Sequence, residues 1–153
     1  MKNTMNSFVT DIATNKIIQS VFFSYFTANV IKILIRLTTS DKFDLKLFFK
    51  TGGMPSAHSA TVSAMATAVY ILEGMSNLFA VALMFCIVVV ADAIGIRRAA
   101  GRQAVLLNKI IDEFQSSGQF KAERLYELIG HTPTEVFVGV LLGILITQAV
   151  FRF

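Results

Sequence analysis

The chain has 153 residues, which suits one domain and is short for two. Hydrophobic residues make up 54% of it and charged residues only 16%, against about 25% in an average soluble domain, so the composition indicates a membrane protein. The formal net charge is +4, but basic residues are not interleaved with aromatic ones on a polar face; this pattern argues against nucleic acid and favours a membrane surface or an anionic substrate as partner.

Four apolar runs follow one another along the chain, at 17–37, 56–72, 78–96 and 136–150. As a helix the third would be about 28 Å long, at 1.5 Å per residue, which is enough to cross a bilayer core. The second run is rich in Ala, Ser and Thr, and the fourth carries Gly139 and Gly143, so these two are expected to pack closely against other helices. We predict an all-α integral membrane helical bundle with about four spans, formed by residues 1–153 as a single membrane-embedded domain.

Charged segments between these runs predict helices at the membrane surface. Residues 38–51 mix charges with large apolar side chains, and residues 102–114 repeat apolar side chains with a helical period, which is typical of amphipathic interfacial helices. Lys32 and Arg36, near the end of the first run, are expected to snorkel to the headgroup layer. Residues 1–15 are polar and lack the apolar core of a cleavable signal peptide.

The two histidines of the chain stand at the starts of two apolar runs, each beside one of its two prolines, in Gly-Gly-Met-Pro-Ser-Ala-His at 52–58 and Gly-His-Thr-Pro-Thr-Glu at 130–135. His131 and Glu135 are four apart and share a helix face, so the carboxylate could orient the imidazole as in nucleophilic catalysis. The same Glu135 also fits a capping box with Thr132, and His58 fits an ordinary residue near a helix start. The spacing leaves both interpretations open.

Arg97, Arg98 and Arg102 follow the third run, where they could hold phosphate oxygens or simply form the basic flank of a span. Asp92, within that run, is costly in a membrane unless paired, so we expect it to bind an arginine or orient a histidine. In a four-span bundle, the ends of the first and third runs and the starts of the second and fourth lie on one side of the membrane. The polar residues there are predicted to converge: Lys50, His58, Asp92, Arg97, Arg98, Arg102, His131 and Glu135.

These residues resemble a known pattern. Two of the sequence motifs of the type 2 phosphatidic-acid phosphatase and vanadium haloperoxidase superfamily have similar counterparts here. Pro-Ser-Ala-His at 55–58 resembles the second motif, Pro-Ser-Gly-His. The segment His131–Glu135 resembles the end of the third motif, where a His is followed four residues later by an Asp. The divergent membrane branch of that superfamily looks similar from about residue 15 to the C-terminus, including Asp-Ala at 92–93 and Arg-Arg-Ala-Ala-Gly at 97–101.

The resemblance implies a membrane phosphatase acting on a lipid phosphate or pyrophosphate, without a metal or other cofactor. It implies that His131 attacks phosphorus to form a phosphohistidine, that Glu135 orients it, and that His58 protonates the leaving oxygen. Phosphate oxygens would be held by Lys50, by Ser56, by the amide near Ala57 and by Arg97, Arg98 and Arg102, with Asp92 and Lys46 in support.

The chain departs from the superfamily pattern at two motifs. No Arg-Pro follows Lys46 or Lys50, so the first motif is reduced to a lysine, and no Ser-Arg precedes His131 at the usual distance. The arginines at 97, 98 and 102 are the expected replacements.

Two other functions fit the same residues. One is a non-catalytic membrane protein that binds anionic lipid or a partner through its basic face. The other is a metal-dependent membrane hydrolase that uses His58, His131, Asp92 and Glu135, although these lack the short spacing of common metal sites. We expect the protein in the plasma membrane of a bacterium, and the excess of Lys and Arg on the motif-bearing side predicts that the site faces the cytoplasm. The sequence indicates no oligomeric state.

Overall fold

The computed structural model describes residues 10–39, 53–116, 125 and 130–153. It contains five principal helices, and no strand in these ranges: α1 (Lys16–Thr39), α2 (Ala57–Glu73), α3 (Asn77–Ile94), α4 (Ile96–Ser116) and α5 (Pro133–Arg152). The prediction of an all-α helical bundle is confirmed. Most of the interfacial segment predicted at 38–51, with Lys46 and Lys50, lies outside the described residues.

Three stretches of the described chain are long and apolar enough to cross a membrane: Lys16–Thr38, Asn77–Phe114 and Pro133–Arg152. The other predicted span, α2, has 17 residues and is about 26 Å long, at the short end of the usual range. Large apolar side chains point outward from the long helices; Phe22 is 60% exposed, Val88 61% and Leu145 62%. Such surfaces suit lipid rather than water, as expected for an integral membrane protein.

The short helix α2 is the centre of the bundle, because α1, α3 and α5 all pack against it. Its small side chains allow this approach: Ala60, Ala64 and Ala68 are completely buried. On α5, a Cβ atom at Gly143 would collide with Ser63 Oγ and with the carbonyl oxygen of Ala60. The close packing predicted from the composition of these two runs is therefore present.

Side-chain hydrogen bonds fix the register of α2 against α5. Ser63 Oγ donates to the carbonyl oxygen of Val140 at 3.1 Å, and Thr147 Oγ1 shares its hydrogen between the carbonyl oxygen of Gly143 in its own helix, at 2.8 Å, and that of Ala64, at 3.3 Å. Hydroxyl groups satisfied in this way are well suited to contacts between helices in lipid. Because α2 begins with the first histidine motif and α5 with the second, this register brings the two motifs together.

The third run is interrupted at Gly95, where α3 ends and α4 begins. Helix α4 is amphipathic, as predicted, with Gly101, Ala104 and Asn108 buried on one side. The Asn108 side chain exchanges two hydrogen bonds with the main chain of Leu125, at 2.8 and 2.9 Å. This contact fixes one point of the segment that leads back from α4 to the second histidine motif.

Candidate active site

His131 is held in the turn before α5 by its side chain and its main chain. Its Nδ1 lies 3.0 Å from Glu135 Oε2, and its N–H donates to the carbonyl oxygen of Ala93 at 3.2 Å. The ring is only 4% exposed. With Nδ1 donating to the carboxylate, the imidazole carries its lone pair on Nε2, where it can act as a nucleophile or a base.

The carboxylate of Glu135 has a second partner, the N–H of Thr132, at 3.1 Å, and the Thr132 hydroxyl accepts from the N–H of Glu135 at 3.3 Å. The predicted capping box is therefore present, with Pro133 at the helix start. The same carboxylate oxygen also binds His131. One side chain thus caps α5 and also holds the imidazole of His131. The interpretation of Glu135 as a capping residue is therefore compatible with its interpretation as the residue that orients His131.

Burial holds the pKa of the His131 imidazole below its ordinary value of 6.5. The hydrogen bond and the charge of Glu135 act in the opposite direction and raise this pKa, while the charges of Lys32 and Arg97 lower it. The net effect keeps His131 neutral near pH 7, the form in which Nε2 can attack an electrophile.

His58 lies in the first turn of α2 and faces His131, with ring centroids 6.4 Å apart and an angle of 58° between the rings. Unlike His131, it is exposed. A nucleophile must lie about 3 to 3.5 Å from the atom that it attacks, and a proton donor about 2.6 to 3.2 Å from the leaving atom. Both distances fit within the separation of the two rings. The two imidazoles can therefore flank one group of phosphoryl size.

Arg97 is the arginine that the structure brings to the histidines. Its Nε donates to Asp92 Oδ2 at 2.7 Å, as the position of Asp92 predicted, and its charge acts on both His58 and His131. Arg98 and Arg102 are exposed. The main chain of Arg98 packs against Gly130, so closely that a Cβ atom on residue 130 would lie 2.5 Å from Arg98 N.

Ser56 is the N-cap residue of α2. It is completely buried, its hydroxyl accepts from the N–H of Ser59 at 3.3 Å, and its own N–H donates to the carbonyl oxygen of Glu135 at 3.0 Å. The first intrahelical bond is made by Ala60 N. The amides of Ala57 and His58 precede it, and such amides are the groups of a helix start that can bind an anion.

Lys32, in α1, is a site residue that the sequence did not reveal. The expectation that it snorkels to the headgroups is wrong: it is only 9% exposed, with Nζ 3.5 Å from Asn29 Oδ1. Its aliphatic stem lies beside Gly53, and its charge acts on Glu135 and on both histidines. The snorkelling rule failed because Lys32 lies on the face of α1 that packs against the bundle.

A signal for this placement was present in the sequence. Ser20, Ser24 and Ala28 precede Lys32 at four-residue intervals, and all three are completely buried. Small and polar residues at that spacing mark a packed helix face in a membrane. Lys32 continues the same face by one turn, so its charge points inward.

The other residues predicted for the site are Lys46 and Lys50, which lie outside the described residues. Within the described ranges, no three His, Cys, Asp or Glu side chains are grouped so that they could hold a metal ion. The structure thus assembles Lys32, His58, Asp92, Arg97, His131 and Glu135 at one end of the bundle.

Comparison with known proteins agrees with the resemblance seen in the motifs. The model of the family described as "Divergent PAP2 family" matches residues 13–146. The chain is also 39% identical over 155 residues to "Uncharacterized membrane protein YuiD" of Bacillus subtilis (strain 168), covering 94% of this chain and 98% of the relative. No solved structure matches it. The chain is a membrane protein and belongs to the Divergent PAP2 family.

Proposed function

We propose that this protein is a membrane phosphatase that hydrolyses a lipid phosphate or pyrophosphate through a phosphohistidine formed on His131. The observation that carries the proposal is the hydrogen bond from His131 Nδ1 to Glu135 Oε2, with the exposed His58 ring 6.4 Å from the His131 ring. A neutral, oriented imidazole beside a second imidazole supplies a nucleophile and a proton donor for the same reaction.

In the first step, Nε2 of His131 attacks phosphorus and the bond from phosphorus to the leaving oxygen breaks. His58 donates a proton to that oxygen, so the product leaves as an alcohol, or as a phosphate from a pyrophosphate. Glu135 stabilises the positive charge that the His131 ring acquires. In the second step, water attacks phosphorus, His58 accepts the proton of that water, and the bond from phosphorus to Nε2 breaks to release inorganic phosphate.

Cations around the histidines support an anionic substrate. Arg97, held by Asp92, and the buried Lys32 can stabilise the charge of the phosphoryl oxygens in the transition state. The amides at the start of α2 add neutral donors. Lys46 and Lys50 are further candidates for phosphate contacts, and Arg98 and Arg102 for the headgroup of the surrounding lipid.

The position of the site supports a lipid as substrate. It lies at one end of a bundle whose sides are covered with exposed apolar residues, so a phosphate could reach it while its hydrocarbon remained in the bilayer. We place the protein in a bacterial plasma membrane with this end towards the cytoplasm. The positive charges of Lys32 and Arg97 act where a metal ion would in other phosphatases, so we propose a reaction without a metal.

The test is phosphate release from a panel of lipid phosphates and pyrophosphates by the purified protein in detergent. We expect hydrolysis that persists in chelator and is inhibited by vanadate, which adopts the shape of the transferring phosphoryl group. Quenching with alkaline detergent, which preserves the bond between phosphorus and histidine, should trap labelled phosphate on the wild type and none on His131→Ala. Lipid binding without hydrolysis of any substrate would favour the non-catalytic alternative. Activity that depends on added metal would favour the metal hydrolase.

A further inference from the structure

The ammonium group of Lys32 has more hydrogen-bond donors than the described protein around it uses. An ammonium carries three N–H donors, and this one is buried in α1. Among the residues that the structure describes, the one hydrogen-bond acceptor it reaches is Asn29 Oδ1, at 3.5 Å. The other two N–H groups are therefore available to a bound anion.

Asn29, one turn before Lys32 on α1, is held in one orientation. Its side chain is almost completely buried, and its Nδ2 donates to the carbonyl oxygen of Tyr25 in the preceding turn at 2.9 Å. Because Nδ2 is used in that bond, Oδ1 is the atom that faces Lys32. The reverse orientation of the amide would place N–H groups against the ammonium, where donor would meet donor.

The stem of Lys32 is confined as well as its head. It passes beside Gly53, at the start of the first histidine motif, where a Cβ atom would lie 3.5 Å from Lys32 Cγ and 3.6 Å from Cδ. Packing of the stem and the contact with Asn29 together favour one position of the ammonium. At that position its charge acts on Glu135, His58 and His131, so the ammonium belongs to the candidate active site.

A neutral acceptor suits this position better than a carboxylate would. An amide oxygen can orient the ammonium and leave its full positive charge for a ligand, whereas a carboxylate would neutralise it. An apolar side chain at residue 29 would leave the buried ammonium without this acceptor. Asparagine thus meets both requirements, since it fixes the cation and does not compete with a phosphate for it.

We propose that Asn29 is a positioning residue, which holds the Lys32 ammonium where its remaining N–H groups bind an oxygen of the phosphoryl group. This inference rests on the proposed function and adds to it a residue that acts through Lys32 without touching the substrate. Misplacing such a group by about 1 Å can cost about 100-fold in rate.

A double-mutant cycle with Lys32→Met separates positioning from general support of the fold. Asn29→Leu removes the acceptor at similar volume and should lower kcat for a lipid phosphate by about 10- to 100-fold, the factor that corresponds to one hydrogen bond to a charged group. In the Lys32→Met background the same change should alter kcat by less than about twofold, because no ammonium remains to be positioned. Ser24→Ala is the matched control. Ser24 is also buried in α1, its hydroxyl has no partner in the described part of the chain, and its loss should leave kcat unchanged.

A second measurement does not depend on hydrolysis. Binding of orthovanadate to the same purified variants in detergent is measured by calorimetry. We expect Asn29→Leu to weaken vanadate binding by about 10- to 100-fold in the wild-type background and by less than about twofold with Lys32→Met. Asn29→Asp is the second variant in case Asn29→Leu does not fold. Its carboxylate still accepts from the ammonium, so the unfolding temperature should stay close to that of the wild type, but it neutralises the charge and should weaken vanadate binding by a similar factor.

The outcomes separate this inference from the proposed function. Hydrolysis by the wild type, with Asn29→Leu equally harmful in both backgrounds, would overturn the role of Asn29 and leave the phosphatase intact. Vanadate binding that is weakened as expected, without hydrolysis of any substrate, would support the role of Asn29 in anion binding and refute the enzyme. Vanadate affinity that is the same in the wild type and in the Asn29 variants would overturn the inference, and so would a wild type that binds no vanadate.

Discussion

Glu135 shows how one side chain can serve local structure and chemistry together. Its Oε2 accepts from the N–H of Thr132 and lies 3.0 Å from His131 Nδ1. The helix cap therefore fixes the carboxylate before any substrate binds, and the fixed carboxylate holds the imidazole. In the proposed reaction, such preorganisation would avoid rearrangement of the site.

Glu135→Gln should change both the rate and its pH dependence. The amide retains a hydrogen-bond acceptor for Nδ1–H but loses the charge, and loss of the carboxylate from a Ser-His-Asp triad costs about 10,000-fold in kcat. Because Glu135 raises the pKa of His131, its removal should lower this pKa further below 6.5 and move the acid limb of the rate profile to lower pH. The measurement is kcat/KM from about pH 4 to about pH 8, a range that spans the titration of a histidine. Glu135→Asp, which keeps the charge, is the control, and an acid limb that moves to higher pH in Glu135→Gln would contradict the assignment.

His58→Ala should slow substrates according to their leaving groups. An alkoxide needs a proton as it leaves, whereas a nitrophenolate does not, so loss of a general acid should affect only the first strongly, by about 100- to 10,000-fold. Hydrolysis of an alkyl phosphate and of nitrophenyl phosphate by the same preparation measures the difference. An equal loss on both substrates would assign His58 a role other than proton donor.

Lys32→Met should lower activity with little change in stability. Methionine removes the desolvation cost of the buried ammonium but leaves the buried Asn29 Oδ1 without its partner, so these opposite effects should leave the unfolding temperature in detergent nearly unchanged. Loss of one group that stabilises transition-state charge costs about 100- to 1,000-fold in kcat. Arg36→Met, one turn further along α1 and exposed, is the matched control and should remain within about threefold of wild type. Equal loss in both variants would indicate a general effect of charge at the membrane surface.

At the scale of the helices, the pairing of α2 with α5 determines the distance between the two histidines. The contacts along this pair place a small residue or a hydroxyl of one helix against the main chain of the other, as Ser63 does with Val140 and Thr147 with Ala64. Glycine at 143 allows this approach. A change of a few tenths of an ångström there would be transmitted to His58 and His131, since both helices are rigid rods.

Gly143→Val should separate α2 from α5. The added atoms would meet Ser63 Oγ and the Ala60 carbonyl oxygen, which belongs to the main chain of α2, so we expect destabilisation of about 1 to 3 kcal/mol. Activity should fall by more than the loss of folded protein accounts for, because the distance between His58 and His131 changes. Ala80→Val, which adds bulk on the exposed side of α3, is the control. Thermal unfolding in detergent and kcat measured below the transition test the prediction, and a Gly143→Val variant as stable and active as the control would refute it.

For the whole molecule, hydropathy and small-residue patterns were sufficient to predict the helices and the convergence of their polar ends. The ends of α1 and α3 and the starts of α2 and α5 meet as expected, since successive helices that cross a bilayer alternate in direction. The inward placement of Lys32 was not predicted, because a lysine near the end of a span can point to lipid or to protein. The choice depends on which face of α1 packs against its neighbours, and in the sequence that face is marked only by the four-residue spacing of Ser20, Ser24 and Ala28. The selection of Arg97 over Arg98 and Arg102 is a property of the assembled bundle, because it depends on the helix break at Gly95 and on the contact of Gly130 with α4.

The bundle should be oriented with the site towards the cytoplasm. In the described chain that end carries Lys32, Arg36, Arg97, Arg98 and Arg102, whereas the opposite end carries Lys16 and Arg152. An excess of Lys and Arg remains on the cytoplasmic side during insertion. The measurement uses two single-cysteine variants in a Cys86→Ala background, Thr38→Cys at the site end and Met75→Cys, which is 82% exposed, at the opposite end. A membrane-impermeant maleimide should label position 75 in intact cells and position 38 only after permeabilisation. The reverse pattern would place the site outside the cell, and the basic residues would then be explained by phosphate binding rather than by topology.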